Sequence, residues 1–152
     1  MKLIQNANQF PLLAFGAHPD DIEFGCGAVV LKETLSGRTA HFVVCSRGEN
    51  SSRGSPEQRR VEAEQAAAIL GATIEFIALD TDAHLEKRVE HKIKLAQIIR
   101  RIQPSTVLGV LNANPRNFRT VFNHDFLFLP YARKLFICGV ISRKDHRATV
   151  IF

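Results

Sequence analysis

The chain has 152 residues, 45% of them apolar, 23% charged and 8% aromatic, which suits one globular domain with a real core. No apolar run approaches the roughly 20 residues that cross a bilayer, and the longest early one, residues 10–17, stops at His18-Pro19-Asp20-Asp21, so neither a membrane span nor a secretory signal is expected. The net charge of +5 sits wholly in the tail, since residues 1–104 hold 13 Lys+Arg against 13 Asp+Glu and residues 105–152 hold 7 against 2; scattered this thinly it reads as a solvated face, not a nucleic-acid surface.

In chain order, residues 10–16 form a short apolar run ending in glycine and read as a strand. A helix follows over 27–36, closed by Gly37. Residues 39–45 are a second strand. The next helix, 56–70, has the clearest boundaries: Ser55 can cap it, Pro56 fits its first turn, Gln58 completes a capping box and Gly71 closes it. Its predicted core stripe is Ala63, Ala66, Ala67 and Leu70, small enough to lie close to a sheet. A strand at 73–79, a helix at 89–102 with a stripe of Leu95, Ile98, Ile99 and Ile102, and a strand at 106–111 complete the pattern. This alternation predicts an α/β fold, a Rossmann-like, mostly parallel sheet flanked by helices.

Beyond Leu111 the pattern weakens. Residues 112–118 read as loop, and 126–129 and 135–138 are apolar runs with no amphipathic helix between them. Two readings stand: a divergent C-terminal part that packs as extra strands, or a chain whose reading frame or end is not that of an intact gene. The expected organisation is one domain over 1–152 with 109–152 divergent or incomplete. The three cysteines, Cys26, Cys45 and Cys138, form an odd, widely spaced set with no CxxC pair, which implies neither a disulfide framework nor a cysteine zinc site and points to a reducing, cytoplasmic compartment.

Chemistry concentrates in Ala17-His18-Pro19-Asp20-Asp21-Ile22-Glu23-Phe24-Gly25-Cys26-Gly27, directly after the first strand. Ligands bind at the carboxyl ends of the strands in such sheets. An imidazole and a carboxylate three residues apart in one turn can both reach one ion, and nitrogen with oxygen is a donor set that suits zinc. Asp20 between them is then available as a base that takes a proton from a water whose pKa the metal lowers. The plainer alternative is that Asp20 or Asp21 caps the helix and His18 is a loop residue.

The run AHPDDIEFGCGA resembles the first motif of the LmbE-like, or PIG-L, family of zinc-dependent de-N-acetylases, whose form is AHPDDxExGCGG; Ala28 stands where the last glycine is expected. A second block is matched by Gly48-Glu49, Arg53-Gly54 and Arg59-Arg60-Val61-Glu62-Ala63, and a third by Asp82-Ala83-His84-Leu85, so that the resemblance covers about residues 10–108. It implies a metal-dependent hydrolase that removes an N-acetyl group from an N-acetylglucosamine-type sugar or conjugate, with Zn2+ as cofactor. His18 and Asp21 would be two of three protein ligands, Asp20 the general base, and Glu49, Arg59 and Asp82 would lie near the substrate. The implied partner is a small amino-sugar molecule, with homo-oligomerisation left open.

One departure bears on activity. The family draws its third ligand, and a histidine that aids the tetrahedral intermediate, from a His-x-Asp-His motif after the fourth strand, whereas residues 112–120 contain no histidine. Asn123-His124-Asp125 has the pair reversed, and Lys144-Asp145-His146 lacks the first histidine. Two protein ligands would hold zinc weakly. The alternative expectation is therefore a truncated or frame-altered, non-catalytic relative of such an enzyme.

Overall fold

The computed structural model describes residues 10–80, 88–111 and 134–139. Five strands, β1 (Leu12–Gly16), β2 (Ala40–Val44), β3 (Ala72–Phe76), β4 (Thr106–Leu111) and β5 (Lys134–Gly139), form one sheet in the order β3-β2-β1-β4-β5, with every pair parallel. The helices are α1 (Asp21–Leu35), α2 (Pro56–Ile69) and α3 (Val89–Ile102). The Rossmann-like α/β expectation holds. β5 takes up the apolar run at 135–138, while the run at 126–129 lies outside the described residues. No helix among the described residues is long and apolar enough to cross a membrane.

Alternation along the strands splits the core in two. Leu13, Phe15, Val43, Cys45 and Val107 pack with Leu95, Ile98 and Ile99 of α3. Leu12, Ala14, Phe42, Val44 and Leu108 pack on the other face with Ile22, Cys26 and Val30 of α1 and Ala67 of α2. With both faces covered, the central strands can be apolar at every position, which is why β1 reads as an unbroken run.

Two boundaries differ from expectation. α1 begins at Asp21, not Gly27, so the second half of the motif is helix; Asp21 and Glu23 favour its first turn. β3 ends at Phe76 because Ala78 adopts φ 38°, although Ile77 and Leu79 still donate to the Val44 and Cys45 carbonyls at 3.0 and 2.8 Å.

α2 starts as predicted. The Ser55 Oγ accepts from the Gln58 amide at 3.2 Å, and Gln58 Oε1 accepts from the Ser55 amide at 2.8 Å. Ser55→Ala is expected to cost about 1 kcal/mol of unfolding free energy, measured by urea denaturation, by orphaning the Gln58 amide.

At the amino ends of the strands, Arg38 is buried and its guanidinium gathers five acceptors. Nε donates to the Phe10 carbonyl (3.1 Å), Nη1 to Glu33 (3.0 Å), and Nη2 to Ser105 Oγ (2.6 Å), Thr106 Oγ1 (2.8 Å) and, at the limit of 3.5 Å, the Pro11 carbonyl. One side chain thus joins the entries to β1 and β4 and the end of α1, on the side of the sheet away from the motif.

Candidate metal centre

The motif folds tightly against the end of β1. A Cβ on Gly16 would meet Ile22 Cγ1 at 3.0 Å and the His18 carbonyl oxygen at 3.3 Å, so a larger residue would force the turn open by a few tenths of an ångström. The Asp21 amide donates to the His18 carbonyl at 3.4 Å, and the Ala17 and His18 amides both donate to Asp21 Oδ2 at 2.9 Å. Asp21, 8% exposed, therefore fastens the turn and does not simply cap the helix. Asp20 is the N-cap residue by position, but its side chain makes no capping hydrogen bond.

His18 Nδ1 lies 3.4 Å from Asp21 Oδ2. Two ligands at tetrahedral zinc, each bonded at about 2.1 Å, are separated by about 3.4 Å, so the donor atoms are spaced as one ion requires. The oxygen at this spacing, Oδ2, already accepts both amides, and the other carboxylate oxygen is the one with acceptor capacity to spare. The imidazole and the carboxylate are thus donor types that suit zinc and lie side by side in one turn. Among the described residues no third histidine, cysteine, aspartate or glutamate joins them, and 112–120, where the resemblance seeks the third ligand, lies outside the described residues, as do His124 and His146.

Asp20 occupies the left-handed region at φ 91°, unusual for a residue with a side chain. Its carboxylate is 54% exposed and accepts from Arg59 Nη2 at 3.0 Å. Burial pushes the carboxyl above its ordinary value; the Arg59 charge pulls it down, the Asp21 charge raises it and His18 lowers it. Burial likewise raises Glu23, with Asp20 and Asp21 adding repulsion against a lowering backbone hydrogen bond. The turn is thus a concentration of carboxylates at the mouth of the sheet.

Of the residues placed near the substrate by resemblance, Arg59 reaches the motif turn, Glu49 is exposed in the loop between β2 and α2, and Asp82 lies outside the described residues. Asp80, after β3, sits 3.4 Å from His91 Nε2 and 3.6 Å from Arg88 Nη1. The sequence offers no spacing that pairs Asp80 with His91. The Arg59 contact had a faint signal in Gly48 and Gly54, two glycines flanking a loop that closes on a long side chain. Cys26 and Cys45 are buried thiols, and burial pushes Cys45 well up, which disfavours a nucleophilic role.

The family model described as PIG-L, GlcNAc-PI de-N-acetylase, matches residues 13–149. The chain belongs to the PIG-L family. The match extends beyond 108 into the divergent tail. Over 87 residues, 55% of this chain and 46% of the relative, the sequence is 40% identical to the uncharacterized deacetylase YaiS of Escherichia coli K12. It is 29% identical over 125 residues, 74% of this chain and 48% of the relative, to 4-oxalmesaconate hydratase of Pseudomonas putida. The chain spans about half the length of these curated relatives. The conserved protein TT1542 of Thermus thermophilus has the same fold at a TM-score of 0.70 and 29% identity, covering 84% of this chain and 65% of that one. The relatives that this chain resembles thus carry the names of a deacetylase and of a hydratase.

Proposed function

We propose that this PIG-L chain is a zinc-dependent N-deacetylase that hydrolyses the acetamide of an N-acetylglucosamine-type sugar or conjugate. The observation that carries the reading is the spacing of His18 Nδ1 and Asp21 Oδ2, 3.4 Å, with the Asp20 carboxylate open to solvent between them in sequence. The family description and the likeness to YaiS support the acetamide as the bond that is cut.

His18 and Asp21 would hold the ion, the latter fixed by two backbone amides. Zinc, when bound, supplies a Lewis acid that polarises the acetyl carbonyl and acidifies a water. Asp20 takes the proton as the water attacks, and can return it to the departing amine. Glu49 on the adjoining loop, and Asp82, are the further residues assigned to substrate. A cytoplasmic setting agrees with the buried thiols of Cys26 and Cys45.

The purified chain is expected to carry about one zinc per molecule and to release acetate from N-acetylglucosamine or its glycosides, with His18→Ala losing both. Elemental analysis and an acetate assay read the two outcomes. Zinc without acetate release, together with hydration of 4-oxalmesaconate, would move the chain to the hydratase branch. Absence of zinc in the wild type would identify a non-catalytic relative.

A further inference from the structure

We propose that Arg59 is a positioning residue for Asp20, and that Gly48 is the space that lets it act. The inference rests on the reading of Asp20 as the proton acceptor, and it gives Arg59 a task inside the protein in place of a contact with substrate. Arg59 stands near the start of α2, and its Nη2 donates to the Pro19 carbonyl at 2.6 Å and to Asp20 Oδ2 at 3.0 Å. Two acceptors satisfy both hydrogens of that nitrogen. The Arg59 side chain is only 14% exposed, against 54% for Asp20, so the arginine restrains the carboxylate while leaving it open.

The restraint matters because Asp20 has a conformation that a side chain disfavours. Such a residue persists where its surroundings over-determine it. Here the Phe24 amide holds the Asp20 carbonyl at 3.1 Å, and Arg59 holds the preceding carbonyl and the carboxylate. The loop between β2 and α2 is shaped to pass the arginine across. Gly48 has φ 73°, and a Cβ there would lie 3.0 Å from Arg59 Nη1 and 3.3 Å from its Cδ and Cζ; one on Gly54 would lie 3.5 Å from Cγ. A methyl group at position 48 would therefore press the guanidinium aside by a few tenths of an ångström, besides straining a backbone at φ 73°.

The test compares Arg59→Gln, Gly48→Ala and the double variant with the wild type, each shown to be folded by thermal denaturation. Acetate release from N-acetylglucosamine should show kcat lower by about 10- to 100-fold in Arg59→Gln with KM changed less than about threefold, since small misplacements of a reacting group cost this much. Gly48→Ala should act in the same direction, and the double variant should be no worse than Arg59→Gln alone, as expected of two changes to one device. A crystal structure of Arg59→Gln should show the Asp20 carboxylate displaced. A raised KM with kcat intact would make the guanidinium a substrate contact and overturn the proposal, as would additive effects or an unmoved Asp20. A wild-type chain that releases no acetate defeats the deacetylase reading alone, and the position of Asp20 in the Arg59→Gln crystal still decides this inference.

Discussion

Replacing Arg38 with methionine is expected to lower the unfolding free energy by about 3–5 kcal/mol, the range for removing one partner from a buried charged network. The substitution keeps much of the side-chain volume but leaves Glu33 without its cation and the Ser105 and Thr106 hydroxyls without their shared donor. Urea denaturation reads the loss, and the melting temperature should fall by more than about 6 °C for a domain of this size. Because Arg38 lies at the amino ends of the strands, zinc content at a temperature where the variant is folded should stay at the wild-type level. A variant of wild-type stability would show that the network contributes nothing net.

Asp20→Asn is expected to reduce kcat by about 10²- to 10⁴-fold while zinc content stays near that of the wild type. Asparagine keeps the shape and can still accept from Arg59, so the turn is preserved and only proton acceptance is lost. Elemental analysis and the acetate assay on the same sample separate the two properties. Zinc lost together with activity would show that Asp20 supports the ion. Activity retained would assign the proton transfer to another group.

The alternation of strands and helices was legible because each element is long enough to show its period and is punctuated by residues with a local physical role. Ser55, Pro56 and Gln58 start α2 through contacts within four residues of one another, so its beginning follows from sequence alone. The start of α1 does not, because it depends on a left-handed Asp20 and on amides held by Asp21, which are properties of the folded turn. His18 and Asp21 were readable as a pair since three residues in one turn cannot be far apart. Arg38 across two strands and His91 near Asp80 join distant segments, and one sequence has no local pattern that reports such contacts; Arg59 on Asp20 left only the faint mark of Gly48 and Gly54.

The narrow stripe of α2 has a further effect. Ala63 and Ala67 bury almost nothing beyond a methyl group each, which lets the helix axis lie close to the strands. Closeness sets how far across the mouth a side chain from the first turns can stretch. A larger side chain at either position would have to lift the helix, and the Arg59 guanidinium, which now reaches the Pro19 carbonyl, would be drawn back with it.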